Sequence, residues 1–181
     1  MDKENSMEYV SIKSCDINPH LFKHFVRHQI VTKCWRKIDN DWVIQNIPFV
    51  DDWSVKDYAR ILNRLQQICV ANGVVIGAFE NQQLKGLVAV KPDLFGAARE
   101  YLDLTDLYVS EEARGQGIGR NLFELAKEWA KEHGAKKLYL STHSSVESQA
   151  FYRAMGCVEA KEYDPEHTRL EPCDCQLECE V

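Results

Sequence analysis

The sequence lacks the long apolar runs that membrane proteins and secreted precursors carry. It contains no stretch of about 18 consecutive apolar residues, the length that a spanning helix requires. Residues 1–6 are polar and do not contain the apolar core of a signal peptide. We therefore expect a cytoplasmic protein without a membrane partner. Repeats and low-complexity linkers are also absent, which predicts one domain over residues 1–181, with residues 1–6 disordered.

Clusters of basic residues are missing as well. The chain has 22 Lys and Arg against 28 Asp and Glu, a formal net charge of −6. Because proteins neutralise nucleic-acid phosphates with clustered cations, we expect no nucleic-acid partner. An acidic chain favours cationic small molecules or basic tails.

The seven cysteines do not show the paired spacing of a zinc site. Three of them, Cys173, Cys175 and Cys179, lie near the end of the chain. Interpreted as a strand, this segment places the three cysteines and Leu177 on one face. Buried free thiols explain that pattern, so we expect no metal.

The apolar periodicity predicts a mixed α/β domain with the element order β-α-α-β-β-β-α-β-α-β-β. The first predicted helix starts at Asn18-Pro19 and runs to Ile38, and residues 39–52 follow it as an irregular apolar segment. Residues 101–109 form the most informative predicted strand. Its apolar positions change phase between Leu104 and Leu107, which indicates a β-bulge.

A glycine-rich segment follows this strand and opens an amphipathic helix. Gly115, Gly117 and Gly119 alternate, and Arg114 and Arg120 flank them. Glycines allow a ligand close to the backbone, and the N–H groups at a helix N-terminus bind anions. The arrangement suits a pyrophosphate. Neither the Rossmann nor the Walker spacing is present.

These residues resemble the GNAT superfamily of acetyltransferases. Arg114-Gly-Gln-Gly-Ile-Gly119 matches its pyrophosphate loop, and the segment from Ser145 to Cys157 resembles a second motif. Ser145 stands where that motif usually has Asn, and Cys157 where it has Phe. The resemblance implies a central, twisted, mostly antiparallel sheet flanked by helices, with acetyl-CoA as co-substrate.

The resemblance also implies positions for the acetyl-CoA site. The strand would hold the pantetheine arm, the loop the pyrophosphate, and the downstream helix would complete the site. The residues concerned are Leu107, Tyr108, Val109, Arg114, Gly115, Gln116, Gly117, Ile118, Gly119, Arg120, Ser145, Ser148 and Phe151. A backbone N–H near Val109 would polarise the thioester carbonyl.

Two side chains are the implied catalytic residues. Tyr152 would protonate the leaving thiolate as a general acid, although a Tyr here could instead be a packing residue. Asp106 is the first candidate to accept the proton of the attacking amine, with Asp103 or a water chain as alternatives. Either carboxylate could instead be solvated or salt-bridged. His143 is interpreted as a loop residue.

The acceptor is left open by the sequence. Aromatic residues beside carboxylates in residues 35–53 favour a small cationic amine, such as a polyamine, an aminoglycoside or an amino-acid derivative. The alternatives are a non-catalytic acyl-CoA-binding module and an acetyltransferase acting on a protein N-terminus, a lysine or an RNA. A homodimer is compatible with the sequence.

Overall fold

The fold is described by a computed structural model for residues 6–181, so most of the segment predicted to be disordered lies outside the described residues. Nine strands and four α-helices follow one another, with short 3₁₀ turns between some of them. Their bounds are β1 Glu8–Ser11, β2 His28–Ile38, β3 Asp41–Asp52, α1 Val55–Val70, β4 Val74–Glu80, β5 Gln83–Val90, β6 Tyr101–Val109, α2 Ile118–Glu132, β7 Lys137–Thr142, α3 Val146–Ala154, β8 Val158–Glu159, α4 Pro165–Leu170 and β9 Cys175–Glu180.

Seven strands form one sheet in the order β1-β4-β5-β6-β7-β9-β8, and β2 and β3 form a separate hairpin. Every pairing in the large sheet is antiparallel except that of β6 with β7. These two strands pair only from Tyr101–Lys137 to Asp103–Tyr139. Within the described chain they then separate, which leaves a V-shaped opening in the middle of the sheet.

A helix covers each face of the sheet. Helix α2 buries Ile118, Leu122 and Phe123 in the core cluster that also contains Val88 and Leu102. Helix α1 buries Leu65 in a second cluster, on the other face, with Leu87 and Ala89. The predicted class, a mixed α/β domain with a mostly antiparallel sheet flanked by helices, is confirmed.

The first predicted helix is wrong. Asn18 does cap a turn, but this turn is a 3₁₀ helix that ends at Phe22. Residues 28–38 instead form strand β2, and the segment predicted to be irregular is its partner β3. The pairing shifts register between Val31 and Lys33, so Val31 and Cys34 are both buried at a helix-like spacing of three. The helix was predicted from Ile30, Cys34 and Ile38, of which only Cys34 is buried, so their spacing of four did not mark a core face.

The phase change in β6 has the predicted cause. Ala89 of β5 pairs with Asp106, and the next residue, Val90, pairs with Leu104. Thr105 is the inserted residue, and Asp106 therefore faces α1 whereas Leu107 packs on the α2 side.

The C-terminal region differs from the predicted pair of strands in two respects. Helix α4 lies between them, and β8 is only two residues long. Cys175 and Cys179 are buried as predicted, but Cys173 is exposed in the turn before β9. Among residues 6–181, no helix has the length and apolarity needed to cross a membrane, and no group of three or more potential metal ligands occurs.

Candidate functional site

A cavity of about 720 Å³ opens where β6 and β7 separate. The end of β6, the glycine-rich loop, the start of α2 and one side of α3 form most of its wall. Of the residues predicted to contact acetyl-CoA or to act in catalysis, it is lined by Leu107, Tyr108, Val109, Arg114, Gly115, Gly117, Ile118, Gly119, Arg120, Ser148, Phe151 and Tyr152.

The loop end of the cavity is built from backbone rather than side chains. Gly115 and Gly117 have φ values of 75° and 80°, a region that side chains rarely adopt. A Cβ at either position would meet no protein atom within 4 Å, so both glycines border open space. Gly117 is also the N-cap of α2 and has no capping side chain, which leaves the first N–H groups of the helix free for an anion.

The strand end of the cavity exposes an unpaired edge. Residues 104–109 of β6 face the opening, and in the described structure no β7 residue pairs with them. Their backbone groups on this side are therefore available to an amide-bearing ligand. The Arg114 Nε donates a hydrogen bond to the Val109 carbonyl oxygen at 3.3 Å, which ties the loop to the strand.

Tyr152 lies on the cavity wall at this end. Its ring packs near Phe123 and Phe151, with centroid separations of 6.3 and 5.1 Å. Burial is the largest cause of the raised pKa of its phenol, and the negative charges of Asp106 and Asp174 raise the pKa further. The phenol is therefore protonated at neutral pH, which is the form that a proton donor requires.

Asp106 lies behind the cavity wall instead of lining it. Its carboxylate is fully buried, and Arg64 of α1 donates to both of its oxygens. The Thr105 hydroxyl donates to the same carboxylate at 2.7 Å. Burial opposes the charge on Arg64, but the adjacent Asp106 outweighs it and raises the pKa of Arg64. These contacts give Asp106 a structural role in joining the bulge to α1.

Asp103 is held in a similar way. Lys91 donates to its Oδ2 at 3.0 Å, and the Nε2 of His167 lies 2.9 Å from the same oxygen. The bond to Asp103 is the largest cause of the raised pKa of His167. Oδ1 of Asp103 is buried without a hydrogen-bond partner among the described residues. Asp103 does not line the cavity.

Two other predicted contacts lie outside the cavity wall. Gln116 is exposed and donates to the Glu112 carbonyl oxygen at 3.3 Å. Ser145 is buried and is the N-cap of α3, where its hydroxyl oxygen accepts from the Ser148 N–H. Ser145, and not the neighbouring Ser144, is therefore the cap residue of α3.

The start of β2 crosses the opening, a feature that the sequence analysis missed. On one side, Val26 N donates to Ser110 Oγ at 2.8 Å, just after β6. On the other side, Trp35 N donates to the Ser144 carbonyl oxygen at 2.8 Å, just before α3. The segment between these contacts adds Arg27, His28, Gln29 and Ile30 to the cavity wall.

The missed signal is a hairpin turn. Asp39 and Asn40 both have positive φ and connect β2 to β3 as a two-residue loop. An Asp-Asn pair between two segments rich in Ile and Val predicts a hairpin, but the helix-like spacing of residues 21–38 concealed it.

Arg27 is the most buried of the cavity's arginines. Its side chain is 10% exposed, and its Nη2 donates to Asp51 at 2.9 Å and to Gln29 at 3.0 Å. The guanidinium lies 6.0 Å from the Trp53 ring centroid and 5.8 Å from that of Tyr108. Its Nε is buried and has no hydrogen-bond partner among the described residues.

Asp174 is a further, partly buried carboxylate that the sequence analysis missed, and it too lies outside the cavity wall. It precedes β9 beside the end of β7, where Thr142 pairs with Cys175. Burial is the main cause of the rise of its pKa to about 6, and the charge of Glu171 adds to it. In the described part of the chain, Asp174 forms no ion pair.

A chain of hydrogen bonds lies beside this carboxylate. The Tyr139 hydroxyl donates to buried Gln176, whose Nε2 donates to Ser141 Oγ at 2.9 Å and to the Asp174 carbonyl oxygen at 3.5 Å. The Ser141 side chain opposes the rise in the pKa of Asp174. Tyr139 and Gln176 are both almost completely buried, so the position of Ser141 beside Asp174 is fixed by the core.

Three comparisons with known proteins agree with this geometry. A family model described as the acetyltransferase (GNAT) family matches residues 35–157. The uncharacterized N-acetyltransferase YhfO of Bacillus subtilis (strain 168) is 34% identical over 89 residues, which are 48% of this chain. The match spans 59% of YhfO, less than two thirds of its length.

Solved structures share the fold over nearly the whole chain. A putative streptothricin acetyltransferase from Bacillus anthracis, in complex with acetyl coenzyme A, has a TM-score of 0.73 at 18% identity, with 97% of this chain and 99% of that one covered. A nourseothricin acetyltransferase has a TM-score of 0.64 at 20% identity, with 95% of each chain covered. The matched motif, the splayed strands and the family model lead to one conclusion: the chain belongs to the acetyltransferase (GNAT) family.

Proposed function

We propose that the protein transfers the acetyl group of acetyl-CoA to a primary amine of a small cationic acceptor. The observation that carries this proposal is the continuity of one cavity, from the anion-binding loop at Gly115 and Gly117 to the Tyr152 phenol at the separated strands. A pyrophosphate at one end and a thioester at the other match the two ends of acetyl-CoA.

The residues along the cavity divide the binding and the chemistry between them. The loop and the N-terminus of α2 bind the pyrophosphate, with Arg114 and Arg120 at the rim. The free edge of β6, from Leu107 to Val109, pairs with the pantetheine amides and donates an N–H to the thioester oxygen. Gln116 and Ser145 support these elements through the contacts described above.

The transfer itself needs proton movements at the amine, at the departing sulfur and at the Tyr152 phenol. The amine nitrogen attacks the thioester carbon after losing one proton, and the C–S bond breaks as the C–N bond becomes an amide. The departing sulfur takes a proton from Tyr152. The nitrogen then releases its second proton, which reprotonates the Tyr152 phenolate. In sum, an ammonium and acetyl-CoA give an amide, free CoA and one proton.

The contacts of Asp174 make it a better acceptor of the first proton, the one that the ammonium loses before attack, than Asp106 or Asp103. The latter two are bound by cations, Asp106 by Arg64 and Asp103 by Lys91. Asp174 is free of such a partner within residues 6–181, and its charge reaches Tyr152. Its carboxylate both attracts an ammonium and accepts its proton. Asp106 remains the residue that the sequence motif predicts, and a direct comparison of the two tests the assignment.

The acceptor side of the opening also favours a cation. Asp174 supplies negative charge without an ion-pair partner among the described residues, and Phe49 supplies an aromatic face, whereas Asp51, Trp53 and Tyr108 already contact the Arg27 guanidinium. An alkylammonium group is attracted by both. Because two structurally similar proteins are named for nourseothricin and streptothricin, these two compounds belong among the acceptors tested.

A thiol-release assay with acetyl-CoA tests this function. The panel contains spermidine, nourseothricin, streptothricin, kanamycin, lysine methyl ester and a lysine-containing peptide. We expect turnover with at least one small amine and little with the peptide. Turnover with the peptide alone would favour the protein-modifying alternative, and acetyl-CoA binding without any turnover would favour the non-catalytic module.

The best amine is then used for a pH profile between pH 5 and about pH 9.5. A base is active when deprotonated, so a carboxylate whose pKa is about 6 gives a kcat/KM that falls below about pH 6. Asp174→Asn should lower kcat by roughly 100-fold and remove this acid limb. Glu166→Gln, an exposed carboxylate of nearby α4, is the matched control and should leave the profile unchanged. An unchanged acid limb in Asp174→Asn would exclude Asp174 as the base.

A further inference from the structure

Acetyl transfer creates negative charge at two atoms, and the cavity contains one buried cation near them. As the amine attacks, the electron pair of the C=O bond moves to the thioester oxygen. As the C–S bond breaks, the pair moves to the sulfur. In a low-dielectric site, a cation fixed beside these atoms stabilises both developing charges without reorganising.

Arg27 is that cation. The other two arginines of the wall, Arg114 and Arg120, are exposed and lie at the loop end. The charge of Arg27, in contrast, opposes the burial that raises the pKa values of Tyr108 and Tyr152. The same charge adds to the burial that lowers the pKa of His143. These three side chains surround the separated strands, so the guanidinium lies within electrostatic reach of the thioester end.

The backbone around Arg27 is rigid, which a preorganised charge requires. Its N–H donates to the Tyr58 hydroxyl at 3.3 Å, and its carbonyl oxygen accepts from Trp53 N at 3.2 Å. The guanidinium lies against the aromatic rings of Trp53 and Tyr108. A long, flexible side chain is thereby held in one place.

The hydrogen bonds of Arg27 are incomplete. Asp51 and Gln29 accept from Nη2, but the buried Nε donates to nothing in the described residues. An unpaired donor in a buried cationic side chain costs free energy, and such a cost is offset when an anionic atom takes the bond. Asp51 is 29% exposed, so its opposing charge is partly hydrated and neutralises Arg27 incompletely.

We propose that Arg27 is a catalytic residue of the transfer: its guanidinium stabilises the negative charge on the thioester oxygen and then on the departing CoA sulfur. This role adds a charged donor to the backbone N–H of β6 and the proton of Tyr152. It rests on the proposed function, because it needs acetyl-CoA in this cavity with its sulfur at the Tyr152 end. It does not depend on which amine is the acceptor.

Free CoA, the product, provides a test that needs no acceptor. Binding is first established by thermal stabilisation of the protein with CoA. The thiol of bound CoA is then titrated by its thiolate absorbance in the ultraviolet. A nearby cation favours the thiolate, so we expect a lower thiol pKa in the wild-type complex than in the Arg27→Gln complex. Asp51→Asn removes the opposing charge and should lower the thiol pKa below that of the wild type.

Controls separate this role from simpler ones. Lys33→Gln removes an exposed cation of the same strand and should change nothing. Arg27→Lys keeps the charge and should retain most of the thiol shift. With the best amine, Arg27→Gln should lower kcat by roughly 100-fold at an unchanged KM for acetyl-CoA.

Each contrary result has its own meaning. A weaker affinity for CoA with an unchanged thiol pKa would make Arg27 a binding residue and overturn the proposal. A raised KM confined to carboxylate-bearing amines, again with an unchanged thiol pKa, would overturn it in favour of substrate recognition. If Arg27→Gln does not fold, the Asp51→Asn variant tests the proposal in its place. An unchanged thiol pKa of CoA bound to Asp51→Asn also overturns the proposal. Absence of any CoA binding by the wild type would contradict the proposed function itself.

Discussion

The two ends of the cavity are built in opposite ways. The loop end consists of residues 114–120, which are contiguous and mostly exposed, and the groups that we propose for pyrophosphate binding there are backbone N–H groups. The acyl end brings together Arg27, Tyr108 and Tyr152 from three separate segments, and partly buries each of them, whereas Asp174 lies outside the cavity wall. The anchoring function therefore depends on local backbone geometry, whereas the chemistry depends on the packing of the entire sheet.

This difference predicts that substitutions at the two ends of the cavity affect different properties of the protein. A change at the loop end should abolish binding and leave the fold intact, because few contacts are lost there. A change at the acyl end should leave binding largely intact, but alter rate or stability.

Gly117→Val should have the largest effect on binding. A Cβ at this position meets no protein atom within 4 Å, but it projects into the space that the pyrophosphate would occupy. A ligand at 100 times its Kd stabilises the folded state by about 2.7 kcal/mol, and the variant should lose this stabilisation by acetyl-CoA entirely. Thermal unfolding with and without acetyl-CoA measures the difference.

Gly134→Val is the matched control, because Gly134 has a similarly positive φ of 84° and does not line the cavity. Both variants carry similar backbone strain, so both should unfold at a lower temperature. Only Gly134→Val should still be stabilised by acetyl-CoA. An equal response in the two variants would show that Gly117 is not at the ligand.

The same contrast explains how far the sequence could predict the site. The loop residues predicted to contact acetyl-CoA line the cavity, with the exception of Gln116. They could be selected because glycines, arginines and a helix start follow one another in one short segment. Bulging of β6 was also predictable, because Leu104 and Leu107 change phase within a single strand. Local signals sufficed in both cases.

Arg27 and Asp174 could not be predicted in this way. Arg27 enters the cavity because the start of β2 crosses the opening, and the spacing of Ile30, Cys34 and Ile38 had suggested a helix there. Asp174 becomes a candidate only because Asp106 is bound by Arg64, a partner 42 residues away in sequence. Tertiary contacts decide which of several carboxylates lacks an ion-pair partner. The periodicity of the sequence does not contain that information.

Tyr152→Phe should have the next largest effect, on rate and not on binding. The substitution keeps the ring that packs near Phe123 and Phe151 and removes the proton of the hydroxyl. We expect kcat to fall by roughly 10- to 1,000-fold with little change in the affinity for acetyl-CoA. Steady-state kinetics with the best amine measure both quantities.

The control for this substitution is Tyr9→Phe, which removes a phenol that accepts a hydrogen bond from Asn121 outside the cavity. Its kcat should equal that of the wild type. A wild-type rate in Tyr152→Phe as well would leave Tyr152 as a packing residue, and the sulfur would then take its proton from water.

Asp106→Asn should have the smallest effect on rate and a clear effect on stability. The substitution removes the charge that holds Arg64 but retains a similar shape, and Arg64 is 33% exposed, so water can partly solvate it. We expect a loss of about 1–3 kcal/mol in the free energy of unfolding, measured in urea, and a change in kcat of less than about tenfold. Arg64→Gln should cost more, because it leaves a fully buried carboxylate without a cation.

The kinetic profile of Asp106→Asn decides between this structural role and the one predicted from the motif. A lost base lowers kcat most at neutral pH, and the rate recovers partly above about pH 9, where the amine deprotonates in solvent. A lost anchor for the substrate ammonium mainly raises the KM for the acceptor. If Asp106→Asn shows the signature of a lost base at wild-type stability, whereas Asp174→Asn keeps the acid limb, the proton acceptor is Asp106. In that case Arg64 would have to release the carboxylate when the amine binds, and Arg64→Gln would retain activity.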